Sequence, residues 1–171
     1  YKDKTRIKKI LKKKKIKKKN LNSKIPIVLK IAPDINDKEI EKISEILLSN
    51  DIEAIIISNT SDETREKLKD IQKHQKGGLS GKPIEDKTNL LISKFYNNFK
   101  NKIKIIGVGG VDTGLSAYNK FLSGADLIQL YTGMVYKGPN IVNLIKNDLS
   151  KLLLKDGVKN FREIIGKKTK T

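Results

Sequence analysis

The sequence predicts an α/β fold, namely the C-terminal half of a (β/α)8 TIM barrel with four parallel strands and crossover helices. Strand-like and helix-like segments alternate four times after residue 24, which is typical of a parallel sheet. Glycine-bearing turns follow the third and fourth strands, where barrels bind phosphate if these are strands seven and eight. An open doubly wound sheet would carry its phosphate loop after the first strand, which here ends in KIAPD (30–34). We therefore expect the first half of the barrel to lie outside this chain.

The predicted strands are short runs that are rich in β-branched residues. They are IPIVLKIA (25–32), IEAIIIS (52–58), KIKIIGVGG (102–110, a strand together with the turn that follows it) and ADLIQLYTG (125–133). Because the first run is almost continuously apolar, it indicates a strand buried on both faces.

Apolar residues at helical spacing separate and follow these strands. Asp37 is expected to cap a helix that ends near Asn50. The other predicted helices run through Leu90 to Phe99, over Gly114 to Ser123 with Leu115, Tyr118 and Leu122 on one face, over 140–155, and over 160–165.

Residues 1–24 differ from the rest of the chain in charge. They hold twelve lysines, one arginine and one aspartate, whereas residues 25–171 carry 24 basic and 18 acidic groups. The whole chain has 34 lysines against 3 arginines, and arginine is the residue that reads bases through bidentate contacts. We predict that residues 1–24 are a lysine-rich linker or frayed helix in solvent. Contact with an acidic surface stays open, and specific nucleic-acid binding is the least favoured interpretation.

The composition excludes several kinds of site. The chain has no cysteine, so it has no disulfide, thiolate metal site or cysteine nucleophile, and His74 is its one histidine. These facts argue against a metal site. No segment is apolar enough to predict a membrane span. Because the chain begins with Tyr1 rather than methionine, we expect further sequence to precede it.

Polar features lie at the predicted strands and their carboxyl ends, where barrel enzymes hold their active sites. A buried ammonium needs a partner, so Lys30 is expected to meet either an anionic ligand or a structural ion pair. Asn59 and Thr60 follow the second strand as candidate contacts or as a plain strand-to-loop transition. The turns 107–110 and 131–133 expose backbone N–H groups, which predicts a phosphate cradle, although an ordinary tight turn would explain the first.

Five motifs carry a family resemblance. They are KIAPD (30–34), SNT (58–60), GGLSGKP (77–83), IIGVGGV (105–111) and QLYTG (129–133). In this order and spacing they closely resemble the C-terminal half of dihydroorotate dehydrogenase, the FMN enzyme of pyrimidine synthesis, from about Ile25 to Lys168. KIAPD resembles the membrane-associated class 2 form, which passes electrons to quinone. The lysine and asparagine content resembles that of apicomplexan members.

The resemblance implies FMN as the cofactor and a role for each matching residue. The implied FMN contacts are Lys30, Ser58, Gly81, Gly110, Tyr131 and Thr132. Lys30 would stabilise the anionic reduced flavin, and Gly81 would bring its backbone against the ring. Gly110, Tyr131 and Thr132 match the phosphate grip, and Ser58 stands where many relatives have threonine. Asn59 and Thr60 match contacts to the substrate, dihydroorotate, or to its product, orotate.

The resemblance also implies parts that this chain lacks. Relatives carry a serine base in the first half of the barrel, and they have N-terminal helices that form the quinone tunnel and contact the membrane. We therefore expect a fragment with no catalytic base and no metal of its own, inactive by itself, from an enzyme of the mitochondrial inner membrane if the source is eukaryotic. The alternatives are another FMN-binding barrel oxidoreductase, or an inactive remnant that binds partners through residues 1–24.

Overall fold

Four parallel strands form one sheet in the order β1-β2-β3-β4 in a computed structural model that describes residues 4–50, 52–63, 65–66 and 68–169. The strands are β1 (Val28–Ile31), β2 (Ala54–Ile57), β3 (Lys104–Gly107) and β4 (Leu127–Ile128). The α-helices are α1 (Lys4–Asn20), α2 (Asp37–Leu48), α3 (Glu85–Phe99), α4 (Gly114–Leu122), α5 (Thr132–Lys137) and α6 (Ile141–Lys155). Short 3-10 helices cover Ile71–His74, Lys82–Ile84, Phe161–Ile164 and Lys167–Thr169. The predicted parallel α/β order is confirmed.

The strands end together at one edge of the sheet. Ile31 pairs with Ile57, Ile57 pairs with Gly107, and Gly107 pairs with Ile128. Because all of these pairs are parallel, the four residues form a row at the carboxyl ends of the strands. The loops that follow the strands therefore leave the sheet on the same side.

Only one face of β1 is buried. Leu29 and Ile31 lie in the hydrophobic core, whereas Val28 and Lys30 on the opposite face are exposed. The expectation that this strand is buried on both faces is wrong, because α2 and α3 pack on the same side of the sheet. The core residues in this cluster come from three strands and from the helices α1, α2 and α3, including Ile43, Leu47, Ile55, Ile57, Leu91, Ile92, Phe95, Phe99 and Ile105.

Helix α2 is capped by the residue before the predicted one. The Asn36 side chain accepts a hydrogen bond from the Glu39 N–H at 3.0 Å, and the Glu39 carboxylate accepts one from the Asn36 N–H at 2.8 Å. This capping box leaves Asp37 as the first helical residue, where a carboxylate stabilises the helix through its dipole. Both residues are good caps by type, so the reciprocal bond with Glu39 decides between them.

Helix α4 turns a different face inward from the one predicted. Leu115 is exposed, whereas Ala117, Lys120 and Phe121 are buried. The Phe121 ring packs on Phe161 with a centroid distance of 5.0 Å, which places α4 against the C-terminal segment. Phe121, Val158 and Ile164 form a small apolar cluster here, and the partly buried Tyr118 and Leu122 pack against it.

Strand β4 is shorter than predicted. It covers only Leu127–Ile128 of the predicted 125–133, and the unpredicted helix α5 begins at Thr132. The end of the QLYTG motif is therefore helical, and Tyr131 lies at the junction.

The lysine-rich segment packs on the rest of the fold. Ile7 and Leu11, one turn apart on α1, are almost fully buried in the same core as α2. Lys18 forms an ion pair with Glu53 at 2.6 Å. The expectation of a linker or frayed helix in solvent does not describe residues 4–20, because this helix packs on the core through Ile7 and Leu11 and pairs with Glu53 through Lys18. No described helix is long and apolar enough to cross a membrane.

Replacing Leu11 with alanine tests this attachment. Leu11→Ala removes a buried side chain and leaves a cavity, so we expect the free energy of unfolding to fall by about 2–4 kcal/mol. The matched control is Ile16→Ala, because Ile16 is 51% exposed on the same helix, and its effect should stay within about 0.5 kcal/mol. Urea unfolding measures both. Equal effects of the two substitutions would contradict the buried position of Leu11.

A lysine is buried between α3 and α4. Lys120 has no exposed surface, and its Nζ donates hydrogen bonds to Thr88 Oγ1 and Asn89 Oδ1, both at 2.8 Å. Burial lowers the pKa of Lys120 to about 7, and the nearby Glu85 carboxylate opposes this shift. Folding therefore removes a proton from this lysine above pH 7.

Stability should depend on pH through Lys120. The unfolded lysine keeps its proton up to its ordinary pKa of 10.5, so the folded state gains stability as the pH rises from about 7 towards that value. We expect the wild-type free energy of unfolding to rise relative to that of Lys120→Met by about 1 kcal/mol per pH unit between pH 7.5 and 9.5. Urea unfolding at several pH values measures this, with the exposed Lys146→Met as control. Parallel curves for wild type and Lys120→Met would refute the prediction.

Candidate functional site

A pocket of about 290 Å³ opens at the carboxyl ends of the strands. We call it the carboxyl-edge pocket. All eight residues that the sequence assigned to cofactor or substrate line it, namely Lys30, Ser58, Asn59, Thr60, Gly81, Gly110, Tyr131 and Thr132. They come from segments that lie up to about a hundred residues apart in the chain, and the parallel strand order brings them together.

Lys30 lies on the uncovered face of β1. The expectation that it is buried is wrong, since its side chain is exposed and lines the pocket. Of the two partners expected for it, the structural ion pair is absent from the part of the chain that the structure describes. Its ammonium is therefore available to an anionic ligand in the pocket.

The backbone after β2 is fixed by the neighbouring strands. The Ser58 N–H donates to the Val108 carbonyl at 3.3 Å, and the Asn59 N–H donates to the Ile31 carbonyl at 2.7 Å. The buried Ser58 hydroxyl donates to the Asn59 carbonyl at 2.8 Å. The exposed Asn59 amide has no partner within the described ranges. A rigid backbone thus presents an amide that can both donate to and accept from a ligand.

The glycine loop, GGLSGKP (77–83), packs against other segments of the same chain. A Cβ at Gly78 would lie 2.0 Å from Thr60 Oγ1, and one at Gly81 would lie 2.9 Å from the Thr132 methyl group. Gly81 also has a positive φ of 78°, which L-residues other than glycine rarely adopt. Contacts inside the chain therefore account for these glycines, and the predicted approach of Gly81 to a flavin stays a prediction.

The turn after β3 offers an unpaired backbone donor to the pocket. Gly109 and Gly110 have positive φ values of 107° and 78°. Gly110 is buried in the pocket wall, and a Cβ there would lie 2.4 Å from the Glu85 Cβ. No described residue accepts a hydrogen bond from the Gly110 N–H. Backbone N–H groups of buried residues nearly always have a partner, so this one fits an acceptor supplied by a ligand.

Tyr131 and Thr132 complete the pocket at the start of α5. Tyr131 is exposed, and the Thr132 hydroxyl donates to Ser80 Oγ at 2.9 Å. This bond joins the glycine loop to the end of the last strand. The side chains of Ser80 and Thr132 therefore form a continuous part of the pocket wall.

An acidic network beside the pocket was missed by the sequence interpretation. Buried Asp34, of the KIAPD motif, accepts hydrogen bonds from Ser61 Oγ at 2.7 Å and from the Asp62 N–H at 2.8 Å, and it pairs with Lys87 of α3. Burial alone would raise the pKa of Asp34, but the bonds from Lys87, Ser61 and Asp62 together lower it. The aspartate thus ties the loops after β1 and β2 to α3. Its position after a strand was a signal in the sequence.

The pocket residues fit part of an FMN molecule. An unpaired cation at Lys30 and an unpaired N–H at Gly110 suit anionic groups, and Ile84, Val108 and Leu130 supply apolar contacts. A volume of about 290 Å³ is small, since pockets for small ligands range from roughly 300 to 1,000 Å³. The four described strands leave the sheet open, so these residues wall a ligand from one side only.

Sequence comparisons match this chain to dihydroorotate dehydrogenases. The family model "Dihydroorotate dehydrogenase" matches residues 1–153. The dihydroorotate dehydrogenase (quinone) of Bartonella tribocorum is 41% identical over 140 residues, which are 81% of this chain and 39% of the relative. That of Idiomarina loihiensis is 42% identical over 125 residues, 73% of this chain and 37% of the relative. The chain spans about two fifths of the length of these curated relatives.

Solved structures agree with the sequence matches. The structure of DHODH in complex with ferulenol from Eimeria tenella has a TM-score of 0.93 at 27% identity, and the match covers 99% of this chain and 50% of that one. The ligand-free type DHODH from Eimeria tenella has a TM-score of 0.81 at 33% identity, over 84% of this chain and 40% of that one. These relatives are TIM barrels, which confirms the predicted half-barrel. Since the family model matches most of its length, this chain belongs to the dihydroorotate dehydrogenase family.

Proposed function

We propose that this chain supplies one side of the active site of a quinone-dependent dihydroorotate dehydrogenase. The carboxyl-edge pocket binds FMN and dihydroorotate in this proposal. The observation that carries it is the convergence of all eight assigned residues on one pocket. Family membership supports the reaction class, and the quinone-dependent names of the relatives support the electron acceptor.

Each pocket residue has a defined task in this proposal. Bound FMN would accept a hydride from dihydroorotate and pass the electrons on to quinone. The Lys30 ammonium would stabilise negative charge on the reduced flavin. This ammonium is available for that role because no described carboxylate pairs with it. The Asn59 amide orients the pyrimidine edge of the substrate, and the Gly110 N–H holds the phosphate together with the backbone at Tyr131 and Thr132.

The serines of the pocket are not assigned as the base. The Ser58 hydroxyl donates to a backbone carbonyl, and Ser80 Oγ accepts from Thr132. Neither bond would draw a proton from a serine hydroxyl, so neither serine is activated. The proton acceptor comes from the first half of the barrel in this proposal. If the source is eukaryotic, we expect the whole enzyme at the mitochondrial inner membrane.

The direct experiment uses the protein expressed from its complete gene. FMN is titrated while its fluorescence is followed, and orotate formation is assayed with a quinone acceptor. We expect stoichiometric FMN and quinone-dependent turnover, whereas the 171-residue chain alone should be inactive. A complete gene product that binds no FMN would refute the proposed function.

Lys30→Met tests the charge at the pocket. Methionine keeps the length of the side chain and removes the ammonium, so reduced flavin loses its stabilisation. We expect the rate of flavin reduction by dihydroorotate to fall about a hundredfold. Rapid-mixing absorbance measures this step, with Lys38→Met on the exposed surface of α2 as control. An unchanged reduction rate would remove Lys30 from the mechanism.

Asn59→Asp tests the substrate contact. The substitution preserves shape but replaces the amide donor with a carboxylate, which repels the carboxylate of orotate. We expect the dissociation constant of orotate to rise at least about tenfold, as for a lost hydrogen bond of about 1.5 kcal/mol, while FMN content stays unchanged. Asn147→Asp on the exposed side of α6 is the matched control. If orotate binds both variants equally, Asn59 does not contact the substrate.

A further inference from the structure

The buried Lys120 has no role in the chemistry described above, yet it lies directly behind the turn after β3. A Cβ at Gly107 would lie 3.0 Å from the Lys120 Cδ, so the lysine stem packs against the last residue of the strand. Its Nζ ends at Thr88 and Asn89 in α3. The side chain therefore spans from α4 past the end of β3 to α3.

Thr88 connects this lysine to the turn. Its hydroxyl accepts from Lys120 Nζ at 2.8 Å and lies 2.9 Å from the Glu85 carbonyl and 3.4 Å from the Gly109 carbonyl, so one proton is shared between two acceptors. A Cβ at Gly109 would lie 3.0 Å from the Thr88 methyl carbon. Thr88 thus holds Gly109 through packing as well as through a long hydrogen bond.

The peptide group between Gly109 and Gly110 links the direction of the Gly109 carbonyl to the direction of the Gly110 N–H. In a planar trans peptide the carbonyl and the N–H point in opposite directions. Because the Gly109 carbonyl faces Thr88 behind the turn, the Gly110 N–H faces away from Thr88. Gly110 lines the carboxyl-edge pocket, and its N–H has no acceptor among the described residues.

We propose that Lys120 is a positioning residue for the cofactor phosphate, because it holds Thr88 against Gly109 and so aims the Gly110 N–H into the carboxyl-edge pocket. This inference rests on the proposed function, since it requires that FMN binds there. Lys120 acts through Thr88 and touches no ligand. The fully buried position of its ammonium distinguishes it from the solvated lysines on the surface.

The charges around Lys120 set its protonation. Glu85 and Asp86 of α3 favour the charged ammonium, whereas burial and Lys82 disfavour it. A phosphate in the pocket adds negative charge and favours the ammonium further. The affinity for a phosphate should therefore fall as the pH rises through neutrality, and this dependence should require Lys120.

The experiment compares FMN with riboflavin, which lacks the phosphate. Both are titrated by flavin fluorescence into the protein from its complete gene, at pH 6.5 and pH 8.5. We expect Lys120→Met to weaken FMN binding on the order of tenfold and riboflavin binding by less than about twofold. The loss of FMN affinity between the two pH values should be larger in wild type than in Lys120→Met.

Substitutions at the two partners of Lys120 test the route. Thr88→Val removes the hydroxyl and should reproduce the phosphate-specific loss, and Thr88→Ser should restore it. Asn89→Ala is the matched control, because Asn89 accepts from Lys120 but has no hydrogen bond to Gly109 among the described residues. These variants also test the proposal if Lys120→Met does not fold.

The outcomes separate this inference from the proposed function. Equal losses for FMN and riboflavin would show a general loss of structure and overturn the positioning role. Unchanged FMN binding in Lys120→Met, or an equal loss in Asn89→Ala, would overturn it as well. A wild-type protein that binds neither flavin would refute the proposed function, and the inference would fall with it.

Discussion

The parallel pairing of Ile31, Ile57, Gly107 and Ile128 is the constraint on which the rest of the structure depends. Because the pairing is parallel, all four strands end at the same edge, and each connection between them must cross back over the sheet. The loops that leave this edge carry the polar residues of five motifs, which become neighbours although the sequence separates them widely. A slip in the register of one strand would remove its loop from the pocket.

Side-chain contacts between the loops then turn this edge into a pocket. Asp34 joins the loops after β1 and β2 to Lys87 in α3, and Thr132 joins the glycine loop to the end of the sheet. Gly78 and Gly81 are explained by their close approach to Thr60 and Thr132 inside the chain. The Gly110 N–H differs from these features, because no described residue accepts a hydrogen bond from it.

The surroundings of each lysine in this chain decide its structural role. Most of the lysines that the structure describes are exposed, and some of the described lysines, such as Lys18, form ion pairs at the surface. Lys30 and Lys120 have the same chemistry, but Lys30 is exposed to the pocket without a partner and Lys120 is buried with two acceptors. The sequence marked Lys30 by its place in an apolar strand. Lys120 lay in an ordinary helical pattern with nothing to distinguish it.

The sequence by itself determined the order of strands and helices, the family, and eight of the residues that line the pocket. These follow from local patterns, since β-branched runs, helical spacing and the motifs around Lys30, Asn59 and Gly110 are properties of short segments. Only the tertiary structure decided which faces are buried, because burial depends on what packs opposite. It exposed Lys30, turned Leu115 outward and Lys120 inward, and attached α1 through Ile7 and Leu11. It also revealed Asp34 and Thr88 as links, since a hydrogen bond between segments 27 or 21 residues apart leaves no periodic trace in the sequence.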